Sequence, residues 1–94
     1  MKLEDSIRKF ALENAFLHKG KANEKAVLGK LLGAGIINRD SISKVIKDIS
    51  KITSKVNSLS LIQQEKEISE KYPELLHREK KEKGLSELRN AVMG

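Results

Sequence analysis

The chain has 94 residues, no cysteine and a formal net charge of +6, with 34% charged and only 3% aromatic residues. Such a length builds one small domain with little room for a large internal pocket, and the lack of cysteine excludes disulfides and thiolate metal sites. Phe10, Phe16 and Tyr72 are the only aromatics, which argues against modules that stack single-stranded bases, while the positive balance points to an anionic partner. Met1-Lys2-Leu3-Glu4-Asp5 does not read as a signal peptide, and no run approaches the roughly 18 apolar residues of a membrane span. An intracellular, cytoplasmic setting without a membrane partner is therefore expected.

Leu3, Ile7, Phe10, Ala11, Asn14 and Leu17 recur at spacings of three and four, predicting a first helix over about 3–18 with Glu4 and Asp5 in its first turn. Leu12 and Phe16 fall on roughly the opposite side. Either the helix is central to a bundle, or these two side chains await a neighbouring domain. Gly20 can end the helix in a positive-φ conformation, and Asn23 can cap a second helix over about Glu24 to Leu32. Val27, Leu28, Leu31 and Leu32 form its apolar stripe, Lys25 and Lys30 point outward, and Gly33-Ala34-Gly35 closes it. Ile36 and Ile37 are expected to tuck against the core.

Asp40 or Ser41 is the expected cap of a third helix over about 41–57. Ile42, Val45, Ile46, Ile49, Ile52 and Val56 lie on one side of it, and Lys44, Lys47, Lys51 and Lys55 line the other. The run is rich in β-branched residues, but its 3.6-residue period favours a helix over a strand. Ser60 and Gln63 have capping-box spacing, so a fourth helix over about 61–72 follows, with Leu61, Ile68 and Tyr72 inward. Pro73 interrupts it and allows a short helix containing Leu75 and Leu76. From His77 the apolar period is lost, and residues 77–94 read as a charged, partly disordered linker or tail. The expected fold is all-α, a small bundle of four or five short helices over residues 1–76.

Catalytic patterns fail one by one. A phosphate-cradling P-loop needs a glycine five residues before its Gly-Lys pair, but Gly20-Lys21 has Ala15 there and Gly29-Lys30 has Glu24. His18 and His77 have no metal-ligand pattern around them, and the acids are interleaved with lysine, as in Glu65-Lys66-Glu67. No catalytic, cofactor-binding or metal-ligating residue is assigned. The charge is nevertheless uneven. Residues 14–35 hold Lys19, Lys21, Lys25 and Lys30 against Glu24 alone, and residues 41–58 hold Lys44, Lys47, Lys51 and Lys55 against Asp48. Residues 65–83 carry six basic and six acidic side chains. Together the eight lysines can form a surface for a phosphate backbone, although an amphipathic surface helix shows the same stripe for solubility alone.

Three segments then point to a family. Ala11-Leu12-Glu13-Asn14-Ala15, His18-Lys19-Gly20-Lys21-Ala22-Asn23 and Ala26-Val27-Leu28-Gly29-Lys30-Leu31-Leu32-Gly33 together resemble the amino-terminal region of archaeal-type glutamyl-tRNA synthetases. Val56-Asn57-Ser58-Leu59-Ser60 and Tyr72-Pro73-Glu74-Leu75-Leu76 are similar to later parts of that region, in the same order. Lys19, where glycine is usual, and the additional Gly35 depart from the pattern in turns. The resemblance implies a non-catalytic domain appended to a glutamate–tRNA ligase, with 77–94 leading toward a catalytic domain of the same polypeptide. It implies ATP and magnesium as cofactors of the parent enzyme, none in this chain, and tRNA as partner. By looser analogy with helical appendages of glutaminyl-tRNA synthetases and the tail domain of tRNA-dependent amidotransferases, the lysine surface would hold the tRNA backbone. The alternative is a protein-docking module that packs through Leu12 and Phe16 on the catalytic domain or on a partner in a synthetase complex.

Overall fold

The computed structural model describes residues 2–76. Four α-helices follow one another: α1 (Leu3–Leu17), α2 (Glu24–Gly33), α3 (Ile42–Ser58) and α4 (Leu61–Lys71), with a 3-10 turn at Arg39–Ser41 ahead of α3. Residues 73–76 turn helical again after Tyr72. The expected all-α bundle and its helix order are borne out. The tail expected over residues 77–94 lies outside the described residues.

α1 is the central element and packs against α2, α3 and α4. Ile7, Ala11, Leu12 and Ala15 are all fully buried on it, which places Leu12 in the core rather than on a docking face. Phe16 is half-buried against the same core, and the two ends of the stripe, Leu3 and Leu17, are exposed. Val27 and Leu31 of α2 and Ile49 and Val56 of α3 complete the centre, with Ile68 of α4 and, beyond it, Tyr72 and Leu75. The α3 stripe is narrower than expected. Val45, Ile49, Thr53 and Val56 are its buried residues, whereas Ile46 is exposed. Its centre falls along Val45, Ile49 and Val56, which puts Ile46 on the flank. Thr53 Oγ1 is buried without a hydrogen-bond partner among the described residues.

The helix ends show which local signals held. Asn23 Oδ1 accepts from the N–H groups of Lys25 and Ala26 and caps α2 as predicted. Ser60 and Gln63 form the predicted capping box, each side chain bonding the other's backbone N–H. The α3 cap differs: Asn38 accepts from Ser41 N–H and Oγ, starting the 3-10 turn, while Ser41 makes no side-chain cap bond. The expected Gly33-Ala34-Gly35 ending of α2 is present, and Gly35 is its left-handed residue. Gly35 has φ 71°, its N–H reaches Leu32 O, and Ile36 N–H reaches Leu31 O at 3.0 Å, the paired bonds of a Schellman ending. That ending buries Ile37 and leaves Ile36 exposed, so only one of the two isoleucines tucks in.

On the far side of α1, ion pairs join it to α4 and the segment after it. Arg8 donates through Nε and Nη2 to the two carboxylate oxygens of Glu67, the second bond at 2.7 Å. Lys9 Nζ lies 3.0 Å from Glu74 Oε1. The hydrogen bonds from Arg8 hold the Glu67 carboxyl below the ordinary carboxylate range, against the opposing effect of burial. Burial pushes the Tyr72 hydroxyl upward.

Candidate nucleic-acid interface

The corner between α1 and α2 is built around a turn that polar side chains hold from three helices. α1 ends with Gly20 N–H bonded to Ala15 O at 2.7 Å, which puts Lys19 in the left-handed slot usually given to glycine, at φ 58°. Gly20 follows at φ 90°, the positive-φ conformation that calls for glycine; a Cβ there would also meet the tip of the exposed Leu61 side chain, which can shift aside. Gln64 Nε2 donates to Gly20 O at 3.0 Å and Val56 O at 2.9 Å. Asn57 grips Ala22 from both sides, accepting from its N–H at 2.7 Å and donating to its carbonyl at 3.0 Å. Asn14 Oδ1 accepts from Asn23 N–H at 2.7 Å.

In front of this turn lies a concavity of about 530 Å³ lined by Asn14, His18, Lys21, Ala22, Asn23, Lys25 and Ala26. Two lysines and a histidine line it, and none of its lining residues is acidic. Lys21 and Lys25 are exposed, so their ammonium groups are available to an anion while the backbone beneath them is fixed. The start of α2 adds the positive end of a helix dipole, although Asn23 already occupies the two N–H groups it caps.

The other expected contact residues are distributed differently. Lys19 lies across the turn, in a smaller concavity of about 210 Å³ with Phe16, Gly20, Leu61, Gln64 and Glu65. Lys30 reaches back to α1, where its Nζ lies 3.2 Å from Glu13 Oε1 and neutralises a largely buried carboxylate. Lys51 and Lys55 share a narrow cleft of about 120 Å³ with Glu4, Asp48 and Ile52, where two acids offset their charge. Lys44 and Lys47 are exposed on α3. The structure thus brings Lys21 and Lys25 together, groups Lys51 with Lys55 elsewhere, and ties Lys30 to the fold. Among the described residues no group of three or more His, Cys, Asp or Glu side chains could hold a metal ion, and no helix is long and apolar enough to cross a membrane.

Sequence reasoning missed His18 and Asn14 as lining residues and Gln64 as the support behind the turn. The signal for Gln64 was present. It shares the spacing of Ile68 and Tyr72, four and eight residues on, and is 3% exposed, whereas Leu61, expected inward, is 62% exposed. As the first residue of α4, Leu61 lies beyond the core and over Gly20.

No family model matches the chain, and no solved structure matches it. Its sequence relatives are consistent with one another. The glutamate–tRNA ligase of Nitrosopumilus maritimus is 41% identical over 98% of the chain. Those of Thermococcus onnurineus and Pyrococcus abyssi are 43% and 44% identical over all of it. The chain spans only 17% of the length of each of these relatives. With identity at this level along nearly its whole length, the chain belongs to the glutamate–tRNA ligase family as an N-terminal-type helical domain.

Proposed function

We propose that this chain is the non-catalytic appended domain of a glutamate–tRNA ligase and aids binding of tRNA through its basic corner. The parent reaction is the ATP-dependent attachment of glutamate to tRNA in translation, carried out by a catalytic domain of the same polypeptide with ATP and magnesium. No step of the ligation is assigned to the described residues. The observation that carries the reading is the convergence of Lys21 and Lys25 with His18 and Asn14 on one concavity without an acidic lining residue. Phosphate oxygens accept from lysine ammonium and amide groups alike, so such a corner holds a nucleic-acid backbone by charge and shape rather than by base sequence. Lys19 lies across the turn beside Glu65, and Lys51 and Lys55 contribute less because Glu4 and Asp48 are beside them.

The test is a titration of the chain with a glutamate-accepting tRNA transcript at several salt concentrations. Binding should be weak and fall steeply with salt. Lys21→Glu with Lys25→Glu should reduce affinity by about tenfold or more and flatten the salt slope by about two contacts, since each reversal removes one phosphate partner. A folded double variant that binds as the native chain does would overturn the assignment. One observation favours the docking reading instead: two consecutive apolar residues at the start of α4, Leu61 and Ile62, are 62% and 79% exposed. A domain that serves only to dock would be indifferent to the lysine reversals.

A further inference from the structure

The turn that carries Lys19 and Lys21 is tied down more tightly than its length requires, and only through its backbone. Gln64 from α4 reaches three carbonyls, those of Gly20, Val56 and Leu59, the last at 3.4 Å. It thereby joins the turn to the junction of α3 and α4. Asn57 from the end of α3 makes two bonds to Ala22, and Asn14 from α1 makes one to Asn23. Within the turn, Lys19 and Gly20 both have positive φ, a region that non-glycine residues such as Lys19 adopt rarely. All three restraining side chains are neutral amides. None of Lys19, Lys21 and Lys25 forms an ion pair with a described residue, in contrast to Lys9 and Lys30.

A flexible lysine-rich loop can also bind phosphates, but it must be ordered on binding, and that ordering weakens the association. A loop held in place by uncharged side chains avoids this loss and keeps its cations unpaired. From this geometry we infer that Gln64 and Asn57 are positioning residues for anion binding: they hold the turn of residues 18–23 so that Lys19, Lys21 and Lys25 meet a tRNA backbone already arranged. The inference rests on the tRNA-binding reading above. Gln64 is 3% exposed and its amide N–H groups are already taken by the Gly20 and Val56 carbonyls, so changing it acts on affinity through the turn.

Salt dependence separates positioning from contact. The slope of log affinity against log salt counts the phosphates neutralised, whereas its level at a given salt also includes the population of the competent turn. Gln64→Met removes the amide at similar volume, and Asn57→Ala does the same from the surface side. Each should weaken tRNA binding about threefold to tenfold with an unchanged salt slope, measured well below its own melting temperature. Lys21→Glu, measured alongside, should flatten the slope by about one. If both amide variants are folded and bind as the native chain does, the amides are only structural and the proposal is overturned. A flattened slope in both variants also overturns it, because contacts rather than order would have been lost. If the native chain shows no salt-dependent binding and Lys21→Glu changes nothing, the tRNA reading itself fails and takes this inference with it. Should Gln64→Met not fold, Asn57→Ala decides the matter alone.

Discussion

Two regions of this small bundle use polar side chains in opposite ways. At the seam between α1 and α4, cations are consumed: Arg8 is spanned by Glu67, Lys9 meets Glu74, and neither cation is available to a partner. At the corner between α1 and α2, uncharged Asn14, Asn57 and Gln64 restrain the backbone, and Lys21 and Lys25 are left facing a concavity. A basic chain can therefore hold part of its charge in its own fold and present the rest, and net charge alone does not separate the two shares. The difference also limits what a lysine or arginine substitution can report, since one at the seam tests stability and one at the corner tests binding.

The largest effect on stability is expected at the seam. Glu67→Gln should lower unfolding free energy by about 1.5–3 kcal/mol, the range for hydrogen bonds to charged groups, without changing tRNA affinity. A chemical denaturation series read beside the tRNA titration would show it. The same pair makes the native chain sensitive to acid. Because the folded Glu67 carboxyl is held below its unfolded value, its contribution is present above the ordinary carboxylate range and is lost as pH falls through the folded pKa. Glu67→Gln should therefore narrow the gap between neutral and acid melting temperatures, and an unchanged gap would contradict the assignment.

A smaller effect of opposite sign is expected inside the core. Thr53 Oγ1 is buried without a partner among the described residues, so Thr53→Val should stabilise the fold by about 1 kcal/mol, visible as a higher melting temperature. It contrasts with Gln64, where burial comes with three carbonyl partners and removal should destabilise. The smallest effect belongs to the corner. Lys19→Gly relieves a left-handed lysine and should stabilise the fold by a few tenths to about 1 kcal/mol while slightly weakening tRNA binding. A gain in stability with a loss of affinity would mark Lys19 as strained for use, and a loss of both would show that its side chain also supports the turn.

Much of this fold was legible along the chain. The α3 period of Val45, Ile49 and Val56, the Asn23 cap and the Ser60/Gln63 box are local signals, carried by residues within one or two turns of each other. Where the reading failed, one miss was local and the others were decided by packing. Asn38 displaced Asp40 and Ser41 as the cap because the chain enters α3 through a 3-10 turn. Leu61 and Ile46 are as apolar as their buried neighbours, and they are exposed because Leu61 stands at the start of α4 over Gly20 and Ile46 on the flank of the α3 stripe. Of the candidate site, the lysines could be named from sequence but not sorted.

The sequence by itself determined the helices, most of their ends and the excess of positive charge in the middle of the chain, because these depend on period, capping and composition. The tertiary structure alone decided which cations remain available. Glu13 and Lys30 are 17 residues apart and Arg8 and Glu67 are 59 apart, and no local pattern couples either pair. It also decided that Gln64 and Asn57, ordinary polar residues in their own helices, meet behind the turn that carries Lys19 and Lys21. Those contacts exist only once α3 and α4 have folded back onto the end of α1.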